Sequence, residues 1–136
     1  MRIMGLDVGS KTIGVAVSDP FGWTAQGITT ISRQGIEKDV QTLKKLIDEY
    51  EVIELLIGLP LNMNGSKGPS AEMAMDFGSL LAERFGIKVS YWDERLSTSA
   101  MQRVLIEGDI SRQKRRQVID KMASMYILQG FLDSKK

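Results

Sequence analysis

Residues 2–31 read RIMGLDVGSKTIGVAVSDPFGWTAQGITTI, and this stretch decides the fold. Three short runs rich in Val, Ile and Thr, from Arg2 to Asp7, Thr12 to Ser18 and Thr24 to Ile31, read as strands. The separators Val8-Gly9-Ser10-Lys11 and Asp19-Pro20-Phe21-Gly22 are short enough to close two antiparallel hairpins. Beyond residue 31 the period changes. Ile36, Val40, Leu43 and Ile47 recur at helical spacing, with Glu37, Lys38, Asp39, Lys44 and Lys45 off that stripe. Val52 to Leu59 is a nearly continuous apolar run, the pattern of a strand covered on both faces, and Pro60 ends it. The segment from Pro60 to Pro69, rich in Gly and Asn, reads as a loop long enough to favour a functional role. Ala74, Phe77 and Leu81 mark a second helix closed by Gly86, and Lys88 to Trp92 a fifth strand running into Asp93-Glu94. A short helix is predicted from about Thr98 to Glu107, then a long one from an N-cap at Ser111 to about Leu132. The order β-β-β-α-β-α-β-α-α predicts a single α/β domain over residues 1–136, a five-stranded mixed sheet with helices on both faces.

Composition narrows the chemistry. The chain has 136 residues, 18 Lys+Arg against 17 Asp+Glu, and neither histidine nor cysteine. A disulfide framework, a thiolate nucleophile, an imidazole base and a Cys- or His-ligated metal are therefore excluded. If the protein is an enzyme, carboxylates and lysines carry the chemistry, and any metal is oxygen-ligated, which points to Mg²⁺ or Mn²⁺. The N-terminus carries Asp7 and no long apolar run, so it is not a signal peptide, and no stretch approaches the roughly 18 apolar residues of a membrane span. The expectation is a cytoplasmic protein with no membrane partner.

Three acidic positions are candidates. Asp7 ends an apolar strand directly before a glycine-containing turn, where sheets with parallel members place their sites; an Asx-turn is the alternative. Asp93 and Glu94 end another strand and point to opposite faces, so at most one joins a given site; the alternative is a solvated pair balanced by Arg95. Asp120 lies in a helix apolar over most of its circumference, sharing a face with Ala123, Ser124 and Ile127, so that helix is expected to be largely buried. A buried carboxylate requires a partner, a metal or a raised pKa; an ion pair with Arg116 is the alternative. Arg112, Lys114, Arg115 and Arg116 crowd the start of that helix against its macrodipole, and phosphate is their natural ligand. Gly5-x4-Ser10-Lys11-Thr12 is near a P-loop, but the residues after it read as strand rather than helix. Leu6 to Thr12 also looks like the first phosphate loop of actin-like and sugar-kinase ATPases, which need a far longer chain.

Gly5-Leu6-Asp7-Val8-Gly9-Ser10-Lys11-Thr12 through Asp19 resembles the opening block of the YqgF/RuvX family. Gly58 to Gly65 with Gly68-Pro69, then Asp93 to Thr98, then Val118 to Ala123 with Ile127 to Gly130, resemble its other three blocks in order. The departures are small: Ser10 and Ser97 where threonine is common, Ser70 where arginine often follows the proline, and Ser124 where alanine is usual. The resemblance implies an RNase H-like fold and a nuclease acting in 5′-end maturation of pre-16S rRNA. Holliday junction resolution, or RNA binding without catalysis, are the alternatives. It implies Asp7, Glu94 and Asp120 as catalytic and metal-holding residues, choosing Glu94 over Asp93, with Mg²⁺ or Mn²⁺ as cofactor. Lys11, Arg95, Lys114, Arg115 and Arg116 would grip phosphates of a nucleic acid, pre-rRNA or branched DNA, and Asn62 and Asn64 would add hydrogen bonds to sugar or base. Monomer and homodimer both remain open. One feature sets a geometric demand: the strand beside the first ends in Gly58-Leu59-Pro60 without an acid, so Glu94 must reach across from the next strand out.

Overall fold

The computed structural model describes residues 2–94 and 112–135, with 112–121 described by backbone alone. In chain order the elements are β1 (Arg2–Val8), β2 (Thr12–Ser18), β3 (Ala25–Ser32), α1 (Ile36–Tyr50), β4 (Val52–Leu59), α2 (Pro69–Phe85), β5 (Lys88–Asp93) and α3 (Arg112–Ser134). The helix predicted over 98–107 and the cap at Ser111 lie outside the described residues. The strands form one sheet in the order β3-β2-β1-β4-β5. β2 pairs antiparallel with both β1 and β3, whereas β4 pairs parallel with β1 and with β5. β1 and β4 are therefore central, which accounts for the unbroken apolar run of β4. The P-loop near-miss is resolved by β2, because Thr12 opens a strand where a P-loop opens a helix. Pro69 starts α2, and Gly86 ends it in the left-handed conformation at φ 60°.

Strand alternation divides the core between two faces. Met4, Leu6 and Val8 of β1, Ile13, Val15 and Val17 of β2, and Leu55 and Ile57 of β4 pack with Val40, Leu43 and Ile47 of α1 and Ala74, Phe77 and Leu81 of α2. On the opposite face Ala16 and Leu56 lie under Ile127, Leu128 and Leu132 of α3. The expectation that α3 is largely buried holds over its described side chains up to Leu132: Ala123, Ser124, Ile127, Leu128 and Leu132 form an enclosed stripe, and Tyr126 is the exception at 42% exposed.

α3 sits unusually close to β1. A Cβ added at Gly5 would stand 2.9 Å from the Cβ of Leu128 and 3.1 Å from the Ser124 carbonyl oxygen, so a side chain there would lift the helix. The C-terminal half of α3 is tied to the β2–β3 hairpin, where the Gln129 side chain accepts from the Ala25 N–H (2.9 Å) and donates to the Trp23 carbonyl (3.0 Å). That hairpin lies at the start of β1, since the Ile3 N–H donates to Ser18 Oγ at 2.9 Å. Moving backward along α3 from Gln129 through Leu128 and Ser124 therefore leads toward the end of β1.

Candidate active site

Asp7 is one residue from the end of β1, opposite Gly14 of β2. Its neighbours Leu6 and Val8 point into the α1/α2 core, so alternation turns Asp7 to the face covered by α3, the face of Gly5. Its turn is closed by the Gly9 N–H donating to the Thr12 carbonyl at 2.8 Å. Glu94 follows β5 directly. Two residues earlier Trp92 packs on Phe131 of α3, with ring centroids 6.0 Å apart and nearly perpendicular. The same parity puts Glu94 on the α3 face and Asp93 on the other.

β4 separates the two strands that bear these acids. The passage between them is Gly58, the register partner of Trp92. A Cβ there would stand 2.5 Å from Oε1 of Glu94, 2.8 Å from its Cγ and 2.6 Å from Cδ1 of Ile127. The missing side chain is thus occupied by Glu94, which lies across β4 and hydrogen-bonds with Asp7. Burial first, then the hydrogen bond to Asp7 and the charges of Asp7 and Asp93, together push the Glu94 carboxyl up to about 9. At neutral pH Glu94 is a neutral donor to the Asp7 carboxylate, and the pair shares one proton in a half-buried site. Of the adjacent acids ending β5, Glu94 is the one whose carboxyl reaches Asp7.

The other predicted positions divide. Asp120 lies on the described backbone of α3, one turn before Ser124 and toward the Asp7 end of β1; its side chain is outside the described residues. Arg95 and the side chains of Lys114, Arg115 and Arg116 are outside them too. Among the described residues no three acids converge, the Asp7–Glu94 pair being two. Lys11 is exposed on the turn that follows Asp7. Asn62 and Asn64 are engaged within their own loop: Asn62 Nδ2 donates to Ser66 Oγ at 3.0 Å, and Asn64 Oδ1 accepts from Ser66 N and Oγ at 3.0 and 2.6 Å. These bonds shape the loop. Two residues with a part in the site were not singled out as chemistry in the sequence. Gly58 carried one signal, a glycine inside an apolar strand, which marks a close approach. Arg33, which binds the turn after Asp7, carried none.

The sequence profile of the RuvX family, described as a Holliday junction resolvase, matches residues 1–134. A protein of Clostridium botulinum (strain Eklund 17B / Type B), named "Putative pre-16S rRNA nuclease", is 60% identical over 133 residues, covering 98% of this chain and 97% of that one. A relative of the same name from Moorella thermoacetica is 59% identical, covering 98% of this chain and 95% of that one. Among solved structures, RuvC of T. thermophilus in complex with a Holliday junction substrate superposes with a TM-score of 0.62 at 10% identity, over 99% of this chain and 95% of that one. At that identity the likeness is one of fold. A ROK family protein of Streptococcus pneumoniae superposes with a TM-score of 0.51 at 18% identity, over 82% of this chain but 40% of that one. The sugar-kinase look of the first turn thus sits on a fold shared with part of a much longer protein. Profile, relatives and RNase H-like architecture agree: the chain belongs to the RuvX family.

Proposed function

We propose that this protein is a divalent-cation-dependent nuclease that hydrolyses phosphodiester bonds, acting in the cytoplasm on the 5′ end of pre-16S rRNA. The observation that carries this reading is the meeting of Asp7 and Glu94 over Gly58. Two carboxyls forced together at strand ends, one kept protonated by burial, form an oxygen-only donor set poised for a hard cation. With the shared proton lost, Asp7 and Glu94 would both present acceptor oxygens to such an ion. Asp7, Glu94 and, from its place on α3, Asp120 would hold Mg²⁺ or Mn²⁺. When bound, the ion supplies Lewis-acid stabilisation of the phosphoryl group and activation of the attacking water, work for which this chain has no histidine.

The chain's own residues do the rest. Trp92, Ile127 and Leu128 wall the pair off from solvent on the side toward the hairpin, which keeps the local dielectric low. Lys11, exposed on the adjacent turn, offers a cation to a backbone phosphate, as do Arg95, Lys114, Arg115 and Arg116 in the basic stretches. The choice of ribosomal RNA over branched DNA is supported by relatives at about 60% identity that match nearly end to end and share a ribosomal name.

The test is parallel cleavage of a pre-16S 5′-leader transcript and a four-way DNA junction with Mg²⁺ by wild type and Asp7→Asn. Wild type should cut the transcript, and Asp7→Asn should lose at least roughly a hundredfold in rate while staying folded. Equal cleavage by the variant would sink the assignment. Preference for the junction, with symmetric nicks, would indicate a resolvase working as a two-fold dimer. RNA binding without cleavage by wild type would make the protein a non-catalytic assembly factor.

A further inference from the structure

Arg33, the residue after β3, joins three elements. Its Nε donates to Oδ2 of Asp39 at 3.0 Å, its guanidinium lies 5.0 Å from the centre of the Phe77 ring, and Nη1 donates to the Gly9 carbonyl at 3.0 Å. Asp39 is 1% exposed, stands in the first turn of α1, and accepts with its other oxygen from the Gln34 N–H at 3.1 Å. α1 supplies the counter-charge, favoured there by the helix dipole, and α2 supplies the aromatic face. Both therefore fix the plane of the guanidinium, leaving Nη1 for the β1–β2 turn. The Arg33 N–H holds the same turn again, donating to the Lys11 carbonyl at 2.9 Å.

The Nε–carboxylate bond already pairs the two charges, and the remaining guanidinium N–H donors are free to choose among nearby acceptors. The acceptor that Nη1 takes lies in the turn bounded by Asp7 on one side and Lys11 on the other. We propose that Arg33 is a positioning residue, holding the β1–β2 turn so that Lys11 meets a phosphate of the nucleic acid beside the carboxylate pair. This rests on the nuclease reading above and adds to it a loop preset by α1 and α2. A turn fixed before substrate arrives loses less conformational entropy on binding, so the benefit falls on affinity more than on turnover.

Lysine separates this role from simple charge pairing. A lysine at 33 can still neutralise Asp39, but its point charge lacks the rigid fork that spans Asp39 and Gly9 together. The experiment is a double-mutant cycle between Arg33→Lys and Lys11→Ala, read as Kd for a fluorescein-labelled pre-16S leader transcript and as KM and kcat for its cleavage. In the wild-type background Lys11→Ala should weaken binding about tenfold; in the Arg33→Lys background it should cost less than about twofold, with KM moving more than kcat. Lys67→Ala, on the separate 60–68 loop, should act additively in both. Equal cost of Lys11→Ala in both backgrounds, with Arg33→Lys folded, overturns the proposal and leaves Arg33 a structural ion pair. Should Arg33→Lys not fold, Arg33→Gln with Asp39→Asn removes both charges together and the same cycle applies. Asp7-dependent cleavage with an additive cycle removes the Arg33 role alone, whereas absence of any nucleic-acid binding by wild type overturns this and the nuclease reading together.

Discussion

A carboxyl in water gives up its proton well below neutrality, yet Glu94 keeps its own up to about 9, because burial penalises its charge and Asp7 beside it is already charged. The consequence for stability has a definite sign. A carboxyl whose folded pKa lies above its unfolded value of 4.5 favours the folded state fully below that value, and the contribution fades as pH rises toward 9. Metal-free protein should therefore lose thermal stability between pH 5 and pH 9, and Glu94→Gln should flatten that loss; melting curves across this range check it. Added Mg²⁺ should raise Tm more at the alkaline end than at pH 5, where protons compete for the same oxygens. Asp7 was legible in the sequence because an acid ending an apolar strand before a glycine turn is a positional signal. Its partner was not. The two adjacent acids after β5 differ only in parity, and the choice between them came from family resemblance, not from spacing. Arg33 was invisible for another reason: its three partners lie 6, 24 and 44 residues away, and no local pattern encodes their meeting.

Elements reach their places here through what two glycines omit. Gly5 lets α3 settle against β1, and Gly58 lets Glu94 cross β4. At Gly58 the atoms an added Cβ would strike are the ends of the Glu94 and Ile127 side chains, which can swing aside. Gly58→Ala should thus fold, at a cost of about 1–3 kcal/mol for overpacking, while displacing Glu94 from Asp7. Cleavage should fall by roughly a hundredfold, as expected for a reacting group moved by about 1 Å. Denaturant melts and single-turnover rates together check this, and an active Gly58→Ala variant would show that Glu94 has another route to the site. Strand and helix positions followed closely from periodicity, because both periods are properties of a few consecutive residues. The burial of α3 also followed from its apolar run, although composition reports how apolar a helix is and not which of its residues a neighbour covers. Tyr126 faces outward despite sitting in an apolar run.

For the whole molecule, a formal charge of +1 conceals a division of labour between an acidic centre and basic stretches. If Lys114, Arg115 and Arg116 grip phosphates, replacing all three by alanine should weaken RNA binding and flatten the slope of log K against log salt by up to about 3. An unchanged slope would make them a solvated surface. The strand order has one more consequence. Among the described residues β5 lies at the border of the sheet, bonded to β4, and it leads into the second carboxyl. Sheet borders open first in local unfolding, well before the centre yields. Each brief peeling of β5 from β4 therefore takes the acidic pair apart while β1, with Asp7, stays in place. The lifetime of the acidic pair is thus expected to follow the fraying of one six-residue strand rather than the stability of the fold.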